Sequence, residues 1–165
     1  MAGSTTRVTI RRAGLKDIPG IVNCLAAAFE PYRETYTPAG FTDTVPTAKD
    51  VRRRLKEMTV LIAEHGPSII GSLSYQVYDS LEGHLRGMAV IPEFQGTGVA
   101  NRLLWAAEAE LREVGCSRVT LDTTLPLKRA TRFYIRHEYK ATGITKDFFG
   151  MPLFEFEKSL NVGAA

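Results

Sequence analysis

The chain has 165 residues, enough to bury roughly 68–70% of its extended surface in one core without disulfide or metal staples. Its 21 basic and 18 acidic residues leave a formal charge of +3, too mild a bias for a nucleic-acid surface. Cys24 and Cys116 stand at no metal-like spacing, the opening MAGSTTRVTIRR lacks a signal-peptide core, and no apolar run reaches the ~18 residues of a membrane span. These features predict a cytoplasmic protein of one domain over 1–165, its ordered core about 5–160, with reduced thiols, no bound metal, and neither membrane nor nucleic acid as partner.

In chain order, TRVTIRRAG alternates Val8 and Ile10 with polar residues and reads as an edge-like strand. LKDIPGIVNCLAAAFE sets Ile18, Ile21, Val22, Leu25 and Phe29 on one helical face. PYRETYTPAGFTDTVP, rich in turn formers and holding Tyr32, Tyr36 and Phe41, reads as a loop long enough to suggest a functional role. TAKDVRRRLKEM reads as a short helix with Thr47 as N-cap and Arg52, Arg53 and Arg54 on a solvated face. TVLIAEHG and SIIGSLSYQVYD are strands joined at Gly66-Pro67, and HLRGMAVIPEF is a third that Pro92 closes. A helix over 97–114 follows, with an apolar stripe of Val99, Leu103, Ala107, Leu111 and Val114; Trp105 falls opposite, beside Asn101, Glu108 and Arg112. SRVTLDTT is a strand, LKRATRFYIRHEY a helix, and KATGITKDFFG and MPLFEFEKSL two closing strands. The order β-α-α-β-β-β-α-β-α-β-β, hairpins beside one β-α-β crossover, predicts an α/β (α+β) fold. Its mixed, mostly antiparallel sheet has about seven strands, with helices on both faces.

The junction IPEFQGTGVANRLL places Gln95, Gly96, Thr97 and Gly98 between a strand and a helix. A helix N-terminus exposes unpaired N–H groups and about half a positive charge, and glycines let an anion approach them without meeting a Cβ. The P-loop pattern fails because Val99 follows Gly98, and the dinucleotide pattern fails because Asn101 takes the third glycine position. Gly87, isolated inside a strand pattern, marks a bulge or a close backbone approach.

Gln95-x-x-Gly98-x-Ala100, preceded by GMAVIPEF, resembles the acetyl-coenzyme A motif of the GNAT family of N-acetyltransferases, Arg/Gln-x-x-Gly-x-Gly/Ala. RATRFY is similar to the same family's fourth-helix signature, an Ala followed four residues on by Tyr. The resemblance, which extends to the order of elements, implies a GNAT-like acyltransferase fold. It also implies transfer of acetyl from acetyl-coenzyme A to a primary amine of a small molecule or peptide. Gln95, Gly96, Thr97, Gly98, Val99, Ala100 and Asn101 would hold the diphosphate, with Arg129 reaching a phosphate. The bulge would free Met88, Ala89 and Val90 to pair with the pantetheine arm, and an N–H at or next to Val90 would polarise the thioester carbonyl. An amine of pKa about 10.4 needs a base, for which His84 or Glu82 stands on the right strand, and the leaving thiolate needs an acid, the role implied for Tyr134. Tyr32, Tyr36, Phe41, Tyr75 and Tyr78 would wall the acceptor pocket, and a homodimer is within the family's range. Leu127 departs from the family's asparagine and Glu138 from its glycine, which predicts a looser grip on the cofactor and no left-handed cap after the helix. A non-catalytic acyl-coenzyme A sensor is the alternative.

Overall fold

In the computed structural model, which describes residues 7–160, the alternating segments become strands β1 (Val8–Arg12), β2 (Thr59–His65), β3 (Ser68–Val77), β4 (Glu82–Val90), β5 (Arg118–Thr124), β6 (Lys140–Phe148) and β7 (Met151–Ser159). The helices are α1 (Ile18–Phe29), α2 (Pro38–Thr44), α3 (Ala48–Glu57), α4 (Val99–Glu113) and α5 (Lys128–Arg136). One seven-stranded sheet runs β1-β2-β3-β4-β5-β7-β6, with β1 at an edge as its half-polar pattern requires. Every neighbouring pair is antiparallel except β4 and β5, which α4 joins by a crossover. Among the described residues no helix is long and apolar enough to cross a membrane.

Strand alternation divides the core between the two faces. Leu61, Ala63, Leu73 and Leu85 pack under Leu103, Leu104, Ala107 and Leu111 of α4. Val60, Ile62 and Ala89 face the other way, against Ile18, Ile21, Leu25 and Phe29 of α1 and Val51 of α3. Each of the Val, Leu, Ile and Phe side chains among these contributes on the order of 1.5–3 kcal/mol. Thr47 caps α3 as expected, its hydroxyl accepting from the Asp50 N–H at 3.3 Å while Asp50 accepts from the Thr47 N–H at 3.0 Å.

Three expectations are corrected. The stretch after α1 is helical in two pieces, a 3-10 segment over Glu30–Thr35 and then α2. Pro31 and Pro38 fall in their first turns, where a missing N–H costs no hydrogen bond, and Thr37 caps α2 by accepting from Gly40 at 3.2 Å. Val114 lies past the end of α4 and is exposed. Glu108 is 2% exposed rather than solvated, because its carboxylate accepts from the Tyr139 hydroxyl at 2.8 Å and from Lys158 at 3.0 and 3.2 Å.

The sheet opens where the glycine in β4 predicted a disturbance. Ser72 pairs with Ala89 and Ser74 with Arg86, so Leu73 alone faces both Gly87 and Met88. Gly87 takes φ +69°, a left-handed value that suits glycine at a bulge. On its other side β4 pairs with β5 only from Glu82 to Leu85. Beyond the bulge the two strands part, and the backbone of Met88, Ala89 and Val90 lines a gap.

Candidate functional site

Two cavities flank the parted strands. The first, of ≈330 Å³, lies between the bulged half of β4 and the starts of α4 and α5. Its wall includes Met88, Ala89, Val90, Gln95, Gly96, Gly98, Ala100, Asn101 and Arg129. The second, of ≈410 Å³, lies toward α2 and α3 and takes in Tyr36, Arg54, Tyr78, His84, Arg86 and Asp122. Tyr134, Met88, Phe29, Leu127 and Ala130 belong to both walls, so the cavities meet at Tyr134.

The first cavity is walled by a glycine turn whose backbone donors are unpaired. Gly96 has φ +77° and Gly98 +90°, and these left-handed angles turn the chain into α4. A Cβ on Gly98 would meet no atom within 4 Å, so open space lies in front of the helix. Arg102 is the first α4 amide to find a backbone carbonyl, that of Gly98 at 3.2 Å. Among the described residues the amides from Gly96 to Asn101 donate to none. Gln95 spans the loop, its amide donating to the Val90 carbonyl at 3.0 Å and its Oε1 accepting from Arg129 Nη1 at 3.4 Å. Thr97 Oγ1 donates back to the Phe94 carbonyl at 2.5 Å. Free amides, a helix terminus and an exposed arginine suit a diphosphate, and the unpaired β4 edge suits an extended amide chain.

The second cavity carries proton-transfer groups. His84 Nδ1 lies 2.8 Å from Thr120 Oγ1 and Nε2 lies 3.6 Å from Asp122 Oδ2. Burial pulls the His84 pKa below its usual value and outweighs the attraction of Asp122, so the ring is neutral at neutral pH. Asp122 is held by Lys146 at 3.2 Å, and Tyr78 stacks on His84 with ring centroids 6.0 Å apart. Tyr134 is 7% exposed, and burial pushes its phenol well above the usual range, keeping its proton in place. Among the described residues no group of three or more His, Cys, Asp and Glu gathers as metal ligands would.

The other sequence candidates are placed as follows. Glu82 pairs with Arg118 at 2.6 Å at the start of β4 and lines neither cavity. Tyr36 lines the second cavity and its hydroxyl meets Thr124 Oγ1 at 2.7 Å, whereas Tyr32 lines the first. Tyr75, expected in the acceptor wall, is 4% exposed within the α4-side core, because its strand parity matches Leu73. Trp105 is 56% exposed, with His137 its ring neighbour at 6.3 Å. Sequence reasoning missed Asp122, Thr120 and Arg54. The alternation in TLDTT could have placed Thr120, Asp122 and Thr124 on one face.

The cap after α5 also departs from expectation. Glu138 adopts φ +72° although it is no glycine, and the Tyr139 N–H still closes on the Tyr134 carbonyl at 3.0 Å. A non-glycine residue in this conformation costs about 1–2 kcal/mol. Glu138→Gly is therefore expected to stabilise the protein by about 1 kcal/mol, raising Tm by roughly 2–4 °C in calorimetry.

Residues 22–139 match the Acetyltransferase (GNAT) family, and the chain belongs to it. Over 84 residues it is 29% identical to an aminoalkylphosphonate N-acetyltransferase of Salmonella typhimurium, a match spanning 48% of this chain and about half, 54%, of that relative. The fold is similar to that of the PaiA N-acetyltransferase from Thermoplasma acidophilum, solved in complex with coenzyme A. That likeness has TM-score 0.79 and 16% identity and covers 93% of this chain and 99% of the other. It is similar too to a ribosomal-protein-alanine N-acetyltransferase from Brucella melitensis, with TM-score 0.74 and 20% identity over 92% and 99% of the two chains.

Proposed function

We propose that this protein transfers an acetyl group from acetyl-coenzyme A to a primary amine. The observation that carries this reading is the meeting of the two cavities at Tyr134, one floored by free amides and the other holding a neutral histidine. The amides of Gly96 to Asn101, with Arg129, would hold the diphosphate, and the free edge of Met88, Ala89 and Val90 would hold the pantetheine arm. Acetyl-coenzyme A, once bound, supplies an activated thioester carbon.

This chain's own groups then manage the protons. His84 takes one proton of the acceptor ammonium on Nε2 while Nδ1–H donates to Thr120. The freed nitrogen lone pair forms the new C–N bond as the C–S bond breaks. Tyr134 donates its phenol proton to the departing sulfur, whose own pKa is near 8.5 by the cysteine value, and its phenolate takes up the second proton shed by the newly acetylated nitrogen. A backbone N–H at Val90 faces the developing negative oxygen. Asp122, held by Lys146, is placed to steady the His84 imidazolium. Glu82, tied to Arg118, acts on His84 only through its charge. Acceptors named for similar proteins include both an aminoalkylphosphonate and a ribosomal-protein alanine, so the acceptor class of this chain has to come from its own cavity.

The test joins binding and turnover. Acetyl-coenzyme A at about 100 times its Kd is expected to add about 2.7 kcal/mol of stability, with no such gain from ATP or NAD. A panel of primary amines is expected to release free thiol in its presence. Absence of calorimetric heat at millimolar acetyl-coenzyme A would overturn the reading, and binding without thiol release from any amine would leave a sensor.

A further inference from the structure

α3 brings one arginine into the second cavity that no carboxylate contacts. Arg54 is half-buried in its wall, and among the described residues its guanidinium makes neither an ion pair nor a hydrogen bond. The other charged groups of that wall have partners. Arg86 donates to Asp43 at 3.2 Å, and Asp122 holds Lys146 and faces His84. A Cβ added to Gly87 would stand 3.3 Å from Arg54 Nη1, so the guanidinium rests against the bulge beside the parted strands. Burial, with Arg86 adding repulsion, pulls Arg54 down to about 10 from the usual guanidinium value, against the smaller attraction of Asp43 and Asp50, neither of which contacts it. A partly desolvated cation with no carboxylate in contact is costly, and an entering anion lowers that cost.

We infer that the acceptor carries an anionic group besides its amine, and that Arg54 seats that group while the amine faces His84. The inference rests on the acetyl-transfer reading for the role of the cavity. It rests on this chain's own geometry for the charge. Carboxylate and phosphate both match the planar guanidinium fork, and an oxyanion there would gain charge-assisted hydrogen bonds that Arg54 now lacks. Gly87 and His84 are three strand residues apart, roughly 10 Å along the strand. Within one cavity the wall thus offers a basic nitrogen beside Asp122 for the ammonium and an unpaired cation for its counterpart.

Three probes of similar length separate the possibilities: 3-aminopropanoate, phosphoethanolamine and the uncharged 3-aminopropanamide. In thiol-release assays both anionic amines are expected to show kcat/KM about 10- to 100-fold above the amide. Arg54→Gln is expected to erase that preference while changing the amide by less than about threefold, and Arg54→Lys to restore part of it. The ratio between the two anionic probes tells carboxylate from phosphate. A second readout needs no turnover: in coenzyme A-saturated protein the anionic amines should raise Tm, the amide should not, and Arg54→Gln should abolish the shift. Equal kcat/KM for all three probes, no anion-dependent rise in Tm, or an equal fall for all three in Arg54→Gln overturns the inference. Stabilisation through Arg54 without thiol release from these probes or from any amine of the panel upholds the anion seat and instead defeats the acetyl-transfer reading.

Discussion

Tyr134→Phe is expected to lower kcat by about 100-fold or more while leaving acetyl-coenzyme A affinity within about twofold. The substitution deletes one hydroxyl and keeps the ring. The ring packs edge-on against Phe133 at 5.5 Å and Tyr139 at 5.8 Å, contacts that Phe reproduces. Stability should therefore change little, and a fall in turnover can be assigned to the lost proton donor. Because burial holds the phenol protonated across the working range, the variant's loss should be the same from pH 6 to 9. Stopped-flow thiol release and calorimetric titration of the cofactor make the measurement. An unchanged kcat would mean that Tyr134 is only a wall shared by two cavities. A parallel loss of affinity would mean that it holds the cofactor rather than serving the leaving group.

Much of this arrangement was legible in the chain because it is written in backbone terms. Gly87 inside a strand pattern announced a bulge, and the register shift falls there. Gly96 and Gly98 announced a turn that no side chain crowds, and both take left-handed angles. Apolar periodicity located α1 and α4 because their buried faces are wide and regular, whereas α3, which buries Val51 alone, was located by its Thr47 cap. What escaped prediction depends on partners far along the chain. Helical angle alone put Glu108 on the solvent side, yet Tyr139 and Lys158, 31 and 50 residues on, fold over it and supply a donor and a counter-charge. Arg54 read as one of three solvated arginines because nothing local shows that the third points into a cavity. Tyr75 read as a pocket residue because its strand parity becomes clear only once Leu73 is known to lie under α4. Glu138 shows the opposite limit: a residue poorly suited to a left-handed cap still adopts it, since the Tyr139 anchor below fixes the path of the chain. The proposed site follows the same division. Its glycine loop is local and was read as a motif, whereas the contact of His84 with Thr120 joins β4 to β5 and needed the sheet register to be seen.

His84→Gln should change the shape of the pH profile as well as its height. The imidazole is faced by Asp122 and Glu155, which favour its charged form, by Lys146, which opposes it, and by Glu82 on its own strand. Burial outweighs the attraction, so the ring sheds its proton below the usual value of about 6.5. With His84 acting as base on a bound ammonium, kcat/KM should be flat from about pH 7 to 9 and fall tenfold per unit only under the histidine pKa. Without the base the reaction depends on amine that is already free. For a pKa of about 10.4 that is about one molecule in 2,500 at pH 7, rising tenfold with each unit. The variant should therefore lose about 100- to 1,000-fold at pH 7, recover steadily toward pH 9, and show a slope of one where the parent shows none. Glutamine keeps a hydrogen bond within reach of Thr120, so the fold around β4 and β5 is retained and melting curves should nearly coincide. A variant profile parallel to that of the parent would remove His84 from the chemistry and turn attention to Asp122, the next proton acceptor in the same wall.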